Sequence, residues 1–151
     1  MINIGDKAPK FLMETHDGAS ISNELLAGKK TVLYFYPKDS TPGCTTEAKD
    51  FSAHKADFDK LGVKVVGVSR DSIKSHCTFA DKENLKITLA TDLDGSVCEA
   101  FGVWVEKSMY GKKYMGIERS TFIIDESGKI QNVWHKVSVT DHALEVLNSL
   151  R

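Results

Sequence analysis

The sequence predicts an α/β fold with a central mixed sheet flanked by helices, preceded by an N-terminal extension. Three observations carry this. Thr31 to Tyr36 is a continuous run of β-branched and aromatic residues with the pattern of a strand buried on both faces, and Val63 to Ser69 is a second strong strand. Each is followed by apolar residues at helical spacing. A third run, Ser120 to Ile124, turns at Asp125-Glu126-Ser127-Gly128 into a fourth, Lys129 to His135, so the sheet gains an antiparallel hairpin. The 151 residues fit one domain spanning 1–151.

Residues 1–22 are an extended lead-in, with a strand at Phe11 to Thr15 and a turn signal at His16-Asp17-Gly18-Ala19. Leu25 to Lys30 is a short helix or turn. Pro37 stops the first buried strand, and the polar loop Lys38-Asp39-Ser40-Thr41 follows. Thr41 before Pro42 has the pattern of an N-cap with proline at the first helical position. Ala48, Phe51, Phe58 and Leu61 continue at helical spacing. After the second buried strand, Asp71-Ser72 caps a helix through Ile73, Cys77 and Ala80. Leu89 marks a short strand, and Ser96 caps a short helix through Val97, Ala100 and Phe101. Trp104, Tyr110 and Tyr114 are read as core or pocket wall. Asp141 to Leu150 closes the chain as an amphipathic helix.

Composition narrows the function. Hydrophobic residues make up 41% and charged residues 27%, ordinary usage for a folded domain. Twenty Lys and Arg against 21 Asp and Glu leave a net charge of −1, so neither nucleic acid nor an anionic membrane is an expected partner. The longest apolar run is far short of the ~20 residues of a membrane span. The first residues carry no secretory or transit pattern, and a cytoplasmic location is expected. Three cysteines, Cys44, Cys77 and Cys98, are not a structural disulfide framework.

Cys44 sits just inside a predicted helix start, after a buried strand, where unpaired amides and the helix dipole favour a thiolate. In open sheets of this kind, chemistry lies beyond the carboxyl ends of the strands. Thr41 can bring a hydroxyl near the sulfur. Glu47, one turn on, opposes the thiolate unless an arginine pairs with it. From these residues alone, Cys44 is either a small core side chain or a reactive thiol, and Arg119 either a surface ion-pair partner or part of a site.

Pro37-x-x-x-Thr41-x-x-Cys44 is similar to the active-site motif of the peroxiredoxins, and Tyr34 to Ala48 resembles the bacterioferritin comigratory protein (Q-type) branch. Val66 to Asp71, Ala100 to Trp104 and Arg119 to Asp125 extend the resemblance along the chain. It implies a thioredoxin-like fold and a thiol-dependent peroxidase acting on hydrogen peroxide and organic hydroperoxides, without metal or organic cofactor. By the same resemblance, Cys44 is the peroxidatic nucleophile, Thr41 bonds to its sulfur and the peroxide, Pro37 shields the pocket, and Arg119 completes it. The implied product is a sulfenic acid, reduced in the end by thioredoxin or a glutaredoxin–glutathione system. Members of the branch are often monomers, which is the expectation here.

Many members carry a second cysteine five residues after the first; here that position is Lys49. Others carry one on the helix after the second strand, where Cys77 lies, although the family position aligns better with Ala80, one turn on. Three readings stay open: Cys77 as the resolving cysteine, a one-cysteine cycle, and Cys98 as resolver. A disulfide reductase would want Cys-x-x-Cys, which is absent. A zinc site would want paired ligands at short spacings, and His76-Cys77 is isolated. A cysteine hydrolase would need a histidine base, and His54, His76, His135 and His142 read as surface residues. A redox sensor or chaperone-like protein using the same thiol is the non-enzymatic alternative.

Overall fold

The computed structural model describes residues 2–151. Seven strands form one mixed sheet: β1 (Leu12–Thr15), β2 (Ser20–Ser22), β3 (Lys30–Phe35), β4 (Val63–Ser69), β5 (Thr88–Thr91), β8 (Ser120–Ile124) and β9 (Ile130–Trp134), in the order β2-β1-β5-β4-β3-β8-β9. The three strands β3, β4 and β5 are parallel; β8 runs antiparallel to β3, and β9 to β8. Two further strands, β6 (Trp104–Met109) and β7 (Lys112–Ile117), form a separate hairpin.

Alternation along β3 builds two cores. Leu33 and Phe35 face one layer with Val66, Val68, Phe101 and Phe122. Val32 and Tyr34 face the other with Val65, Phe51, Phe58, Phe79, Val146 and Leu147. The second face is covered by α2 (Pro42–Ala53), α3 (Lys55–Lys60), α4 (Ile73–Glu83) and α6 (His142–Ser149). The first is covered by the N-terminal segment, α1 (Asn23–Leu26) and α5 (Ser96–Ala100). Gly67 pairs across the ladder with Tyr34, and a Cβ there would stand 2.7 Å from the phenol oxygen, so only glycine leaves room for that ring.

The helical spacing from Ala48 to Leu61 breaks at His54 into α2 and α3, which re-aims Phe58 into the core beside Phe51, while Leu61 stays 42% exposed. The short helix after β5 begins at Ser96, but Ser96 does not cap it. The buried Asp92 carboxylate accepts from the amides of Val97 (3.1 Å) and Cys98 (2.7 Å). The β6–β7 hairpin is not predicted by the sequence pattern, because apolar and charged residues are mixed along both strands without a period-2 alternation. Its two-residue turn, Tyr110-Gly111, has positive φ at both positions, as tight hairpins require. Tyr110 is therefore a fully exposed tip and Tyr114 is exposed, neither being core. Among the described residues, no helix is long and apolar enough to cross a membrane.

Candidate active site

The site lies beyond the carboxyl ends of β3 and β4. After β3 the chain passes Pro37 and turns at Ser40, whose φ is 61°. Thr41 is the N-cap residue of α2 and Pro42 its first-turn proline. The Thr41 hydroxyl does not cap the helix; it donates to the Lys38 carbonyl at 2.8 Å. Cys44 is in the first turn, 2% exposed, with its sulfur in the core against the helix layer. Gly43 and Cys44 have first-turn amides with no carbonyl four residues back to receive them.

Sheet register brings in the arginine. Phe35 pairs with Ser120, so the residue before β8, Arg119, stands beside the end of β3 although 75 positions separate it from Cys44. Its Nη2 donates to Cys44 Sγ at 3.4 Å, and its Nη1 donates to Glu47 Oε1 at 2.7 Å. Gly43 keeps the approach open: a Cβ there would stand 3.2 Å from Nη2. Burial opposes charge on Arg119, but Glu47 and Cys44 outweigh it and raise its pKa, so the guanidinium stays charged. Glu47 is 1% exposed, and burial pushes its carboxyl up to about 7 against the pull of Arg119. Glu47 Oε2 and the Tyr34 hydroxyl are buried without a hydrogen-bond partner among the described residues. Burial, then Glu47 and Cys44, raise the Tyr34 phenol well above its usual range. Lys107 on β6 lies near enough that Arg119 and Cys44 both act on its charge.

Pro37 is exposed and lines a groove of about 390 Å³ with Arg70, Trp104, Lys107, Tyr114 and Met115. A larger cavity, about 650 Å³ between β1 and the β5–α5 connection, includes none of these site residues. The thiol's chemistry, rather than cavity size, marks the site.

Cys77 lies on α4, half-buried, its thiol donating to the His16 carbonyl at 3.3 Å; it does not join the Cys44 cluster. Cys98 is fully buried in α5, and burial and then Asp92 push its thiol well above the ordinary range. Two histidines expected on the surface are interior. His142 bonds Thr121 at 2.8 Å, and His76 bonds Asp39 at 2.7 Å with no exposure at all. Asp39, Asp71 and His76 bring three ligand-type atoms within 4.8 Å of one another. Protein donors and acceptors already engage those atoms. Tyr34, Lys107 and this Asp39–His76 contact are absent from the sequence reading. The one available signal for His76 was its place three residues before the apolar Phe79.

The AhpC/TSA family matches residues 4–133 of this sequence. A protein of Coxiella burnetii named for the bcp peroxiredoxins is 52% identical over 149 residues, 99% of each chain. A PrxQ variant structure from Xylella fastidiosa superposes with a TM-score of 0.93 at 40% identity, covering 99% of this chain and 96% of that one. The bacterioferritin comigratory protein of Xanthomonas campestris, solved as trapped intermediate and ligand complexes of its alkyl peroxide reduction activity, gives 0.88 at 47%, covering 93% and 89%. The chain belongs to the AhpC/TSA family. Within it, these relatives place the chain in the bacterioferritin comigratory protein (Q-type) branch of the peroxiredoxins, on a thioredoxin-like fold. It is a thiol peroxidase working through a peroxidatic cysteine.

Proposed function

We propose that Cys44 is that cysteine, within one domain spanning 1–151, and that Arg119, Thr41 and Pro37 serve it. The observation that carries this is the Arg119 Nη2 contact to Cys44 Sγ at the start of α2. The Cys44 thiolate attacks one peroxide oxygen. An S–O bond forms, the O–O bond breaks, and the departing oxygen takes a proton to leave as water or an alcohol. Arg119 and the first-turn amides of Gly43 and Cys44 face the charge that develops on it. The Thr41 hydroxyl reaches the sulfur or the peroxide by rotating off the Lys38 carbonyl. Pro37 screens the sulfur at the groove side. The apolar walls of that groove, Trp104, Tyr114 and Met115, suit organic hydroperoxides as well as hydrogen peroxide.

Cys77 is the resolving thiol in this reading. Cys98 is held protonated and sealed in the core, whereas Cys77 is part-exposed on the helix that borders the Cys44 loop. Thioredoxin or a glutaredoxin–glutathione system then reduces the disulfide, in a reducing compartment such as the cytoplasm. The chain is read as a monomer, by resemblance to the branch.

Intact-mass analysis of reduced protein after one equivalent of hydrogen peroxide, with and without a sulfenic-acid trap, tests the reading. The expected result is a trap adduct on Cys44 at early times, then loss of two hydrogens with a Cys44–Cys77 linked peptide. A persistent adduct with no linked peptide removes Cys77 from the cycle.

A further inference from the structure

Between the Cys44 loop and α4 lies a buried polar cluster that the chemistry above does not use. The Tyr36 hydroxyl donates to Asp39 Oδ1 at 2.6 Å, and the Ser75 hydroxyl donates to Asp39 Oδ2 at 2.8 Å. His76 Nδ1 faces Asp39 Oδ2 at 2.7 Å, and His76 Nε2 faces the Ala90 carbonyl at 3.0 Å. The Asp39 amide donates to Asp71 Oδ2 at 2.9 Å, which also accepts from the Ser69 hydroxyl at 2.6 Å. A carbonyl only accepts, so Nε2 is placed to donate to Ala90 while Nδ1 meets the carboxylate. Burial works to raise the Asp39 carboxyl, but hydrogen bonds from His76 and Tyr36 hold it below its ordinary range. Asp39 and His76 form a buried carboxylate–imidazole pair, with His76 at 0% and Asp39 at 3% side-chain exposure. Breaking such a pair costs far more than breaking a surface one.

Its position is informative. Asp39 is five residues before Cys44, and His76 is the residue before Cys77. Cys44 Sγ is held by Arg119 and Cys77 Sγ by the His16 carbonyl, so neither thiol is presented to the other. A disulfide needs their α-carbons within about 4.4–6.8 Å. Neighbouring helical residues point ~100° apart, so Cys77 turns toward Cys44 only if this turn of α4 rotates or unwinds, and His76 leaves Asp39.

We propose that the buried Asp39–His76 pair is a latch that holds the Cys44 loop and α4 in the peroxide-reacting arrangement, and that its release limits disulfide formation. This rests on Cys77 being the resolving thiol. In the step that it gates, the Cys77 thiolate attacks the Cys44 sulfenic sulfur. The S–S bond forms, the S–O bond breaks, and hydroxide leaves with the proton that Cys77 gave up, as water. Peroxide has already supplied the oxidation. Asp39 and His76 are positioning residues.

The test is a quenched time course of the reduced full chain after one equivalent of hydrogen peroxide, resolving sulfenic acid from disulfide by mass. Wild type is compared with Asp39→Asn and with Tyr36→Phe, which removes one hydrogen bond and keeps the ring in the core. Asp39→Asn is expected to slow sulfenic-acid formation no more than about threefold and to speed disulfide formation about tenfold, the scale of one charge-assisted hydrogen bond. Tyr36→Phe is expected to shift the disulfide step in the same direction by less, and it decides alone if Asp39→Asn does not fold. Ile130→Val, which loosens the opposite core, is expected to leave the disulfide step unchanged. An unchanged or slower disulfide step in both latch variants overturns the latch while leaving Cys77 as resolver. Acceleration by Ile130→Val as large as by Asp39→Asn overturns it too. Absence of any Cys44–Cys77 disulfide in wild type removes the resolving reading, and the latch with it.

Discussion

Arg119 serves two groups through two nitrogens, and the difference between them separates catalysis from assembly. Nη2 reaches the sulfur; Nη1 neutralises a carboxylate that is otherwise buried beside the thiol. Arg119→Met is expected to slow peroxide reduction by ~10²–10³, the cost of one preorganised donor. It also strands Glu47, so the rate is best read in stopped-flow single turnovers of Arg119→Met/Glu47→Gln against Glu47→Gln alone. Glu47 leaves a signature in stability. Its folded carboxyl is raised to about 7 from an ordinary 4.5, so between these values the folded chain holds a proton that the unfolded chain has released. Glu47's contribution is therefore fullest below about pH 4.5 and is lost as pH rises through about 7. Glu47→Gln removes that loss. In denaturant titrations from pH 5 to pH 8, wild type is expected to lose stability relative to Glu47→Gln by up to a few kcal/mol; parallel curves would contradict the assignment.

At the scale of elements, α5 shows how a short helix is held when its own first residues cannot hold it. Its N-cap is Gly95, with φ 79°, so the backbone turns but no side chain caps. Asp92, anchored by its own amide to the Ser69 carbonyl at 2.9 Å, supplies both oxygens from outside the helix. Asp92→Ala leaves two buried amides unpaired and is expected to cost about 2 kcal/mol. For a chain of this size, that is a drop of about 4–8 °C in thermal midpoint by calorimetry. The local signal favoured Ser96, because a serine at a helix start is the commoner device. What decides is the turn that swings Asp92 back under the helix, and composition does not display it. The β6–β7 hairpin escaped for a related reason. With Lys107, Lys112 and Lys113 set among apolar residues and only its Trp104–Ile117 end packed on the core, the hairpin carries no period-2 apolar pattern, and only Tyr110-Gly111 marks the turn.

At the scale of the whole molecule, the sheet is legible and the long-range meetings are not. The buried runs around Leu33 and Val66, and the proline that starts α2, are local patterns, so β3, β4 and the Cys44 turn follow from sequence. Arg119 meets Cys44 because β8 runs antiparallel to β3 in one register, and no local window holds that information; a resemblance between sequences supplied it. His76 is interior because its partners come from the Cys44 loop and β5, 37 and 14 positions away, which no local pattern around it displays. The central claim is that one thiol at the head of α2 carries the peroxide chemistry, and single-turnover consumption of hydrogen peroxide by fully reduced protein tests it most directly. Wild type, Cys77→Ser and Cys98→Ser are each expected to consume one equivalent in a fast phase that Cys44→Ser lacks. A fast equivalent consumed by Cys44→Ser would contradict the account.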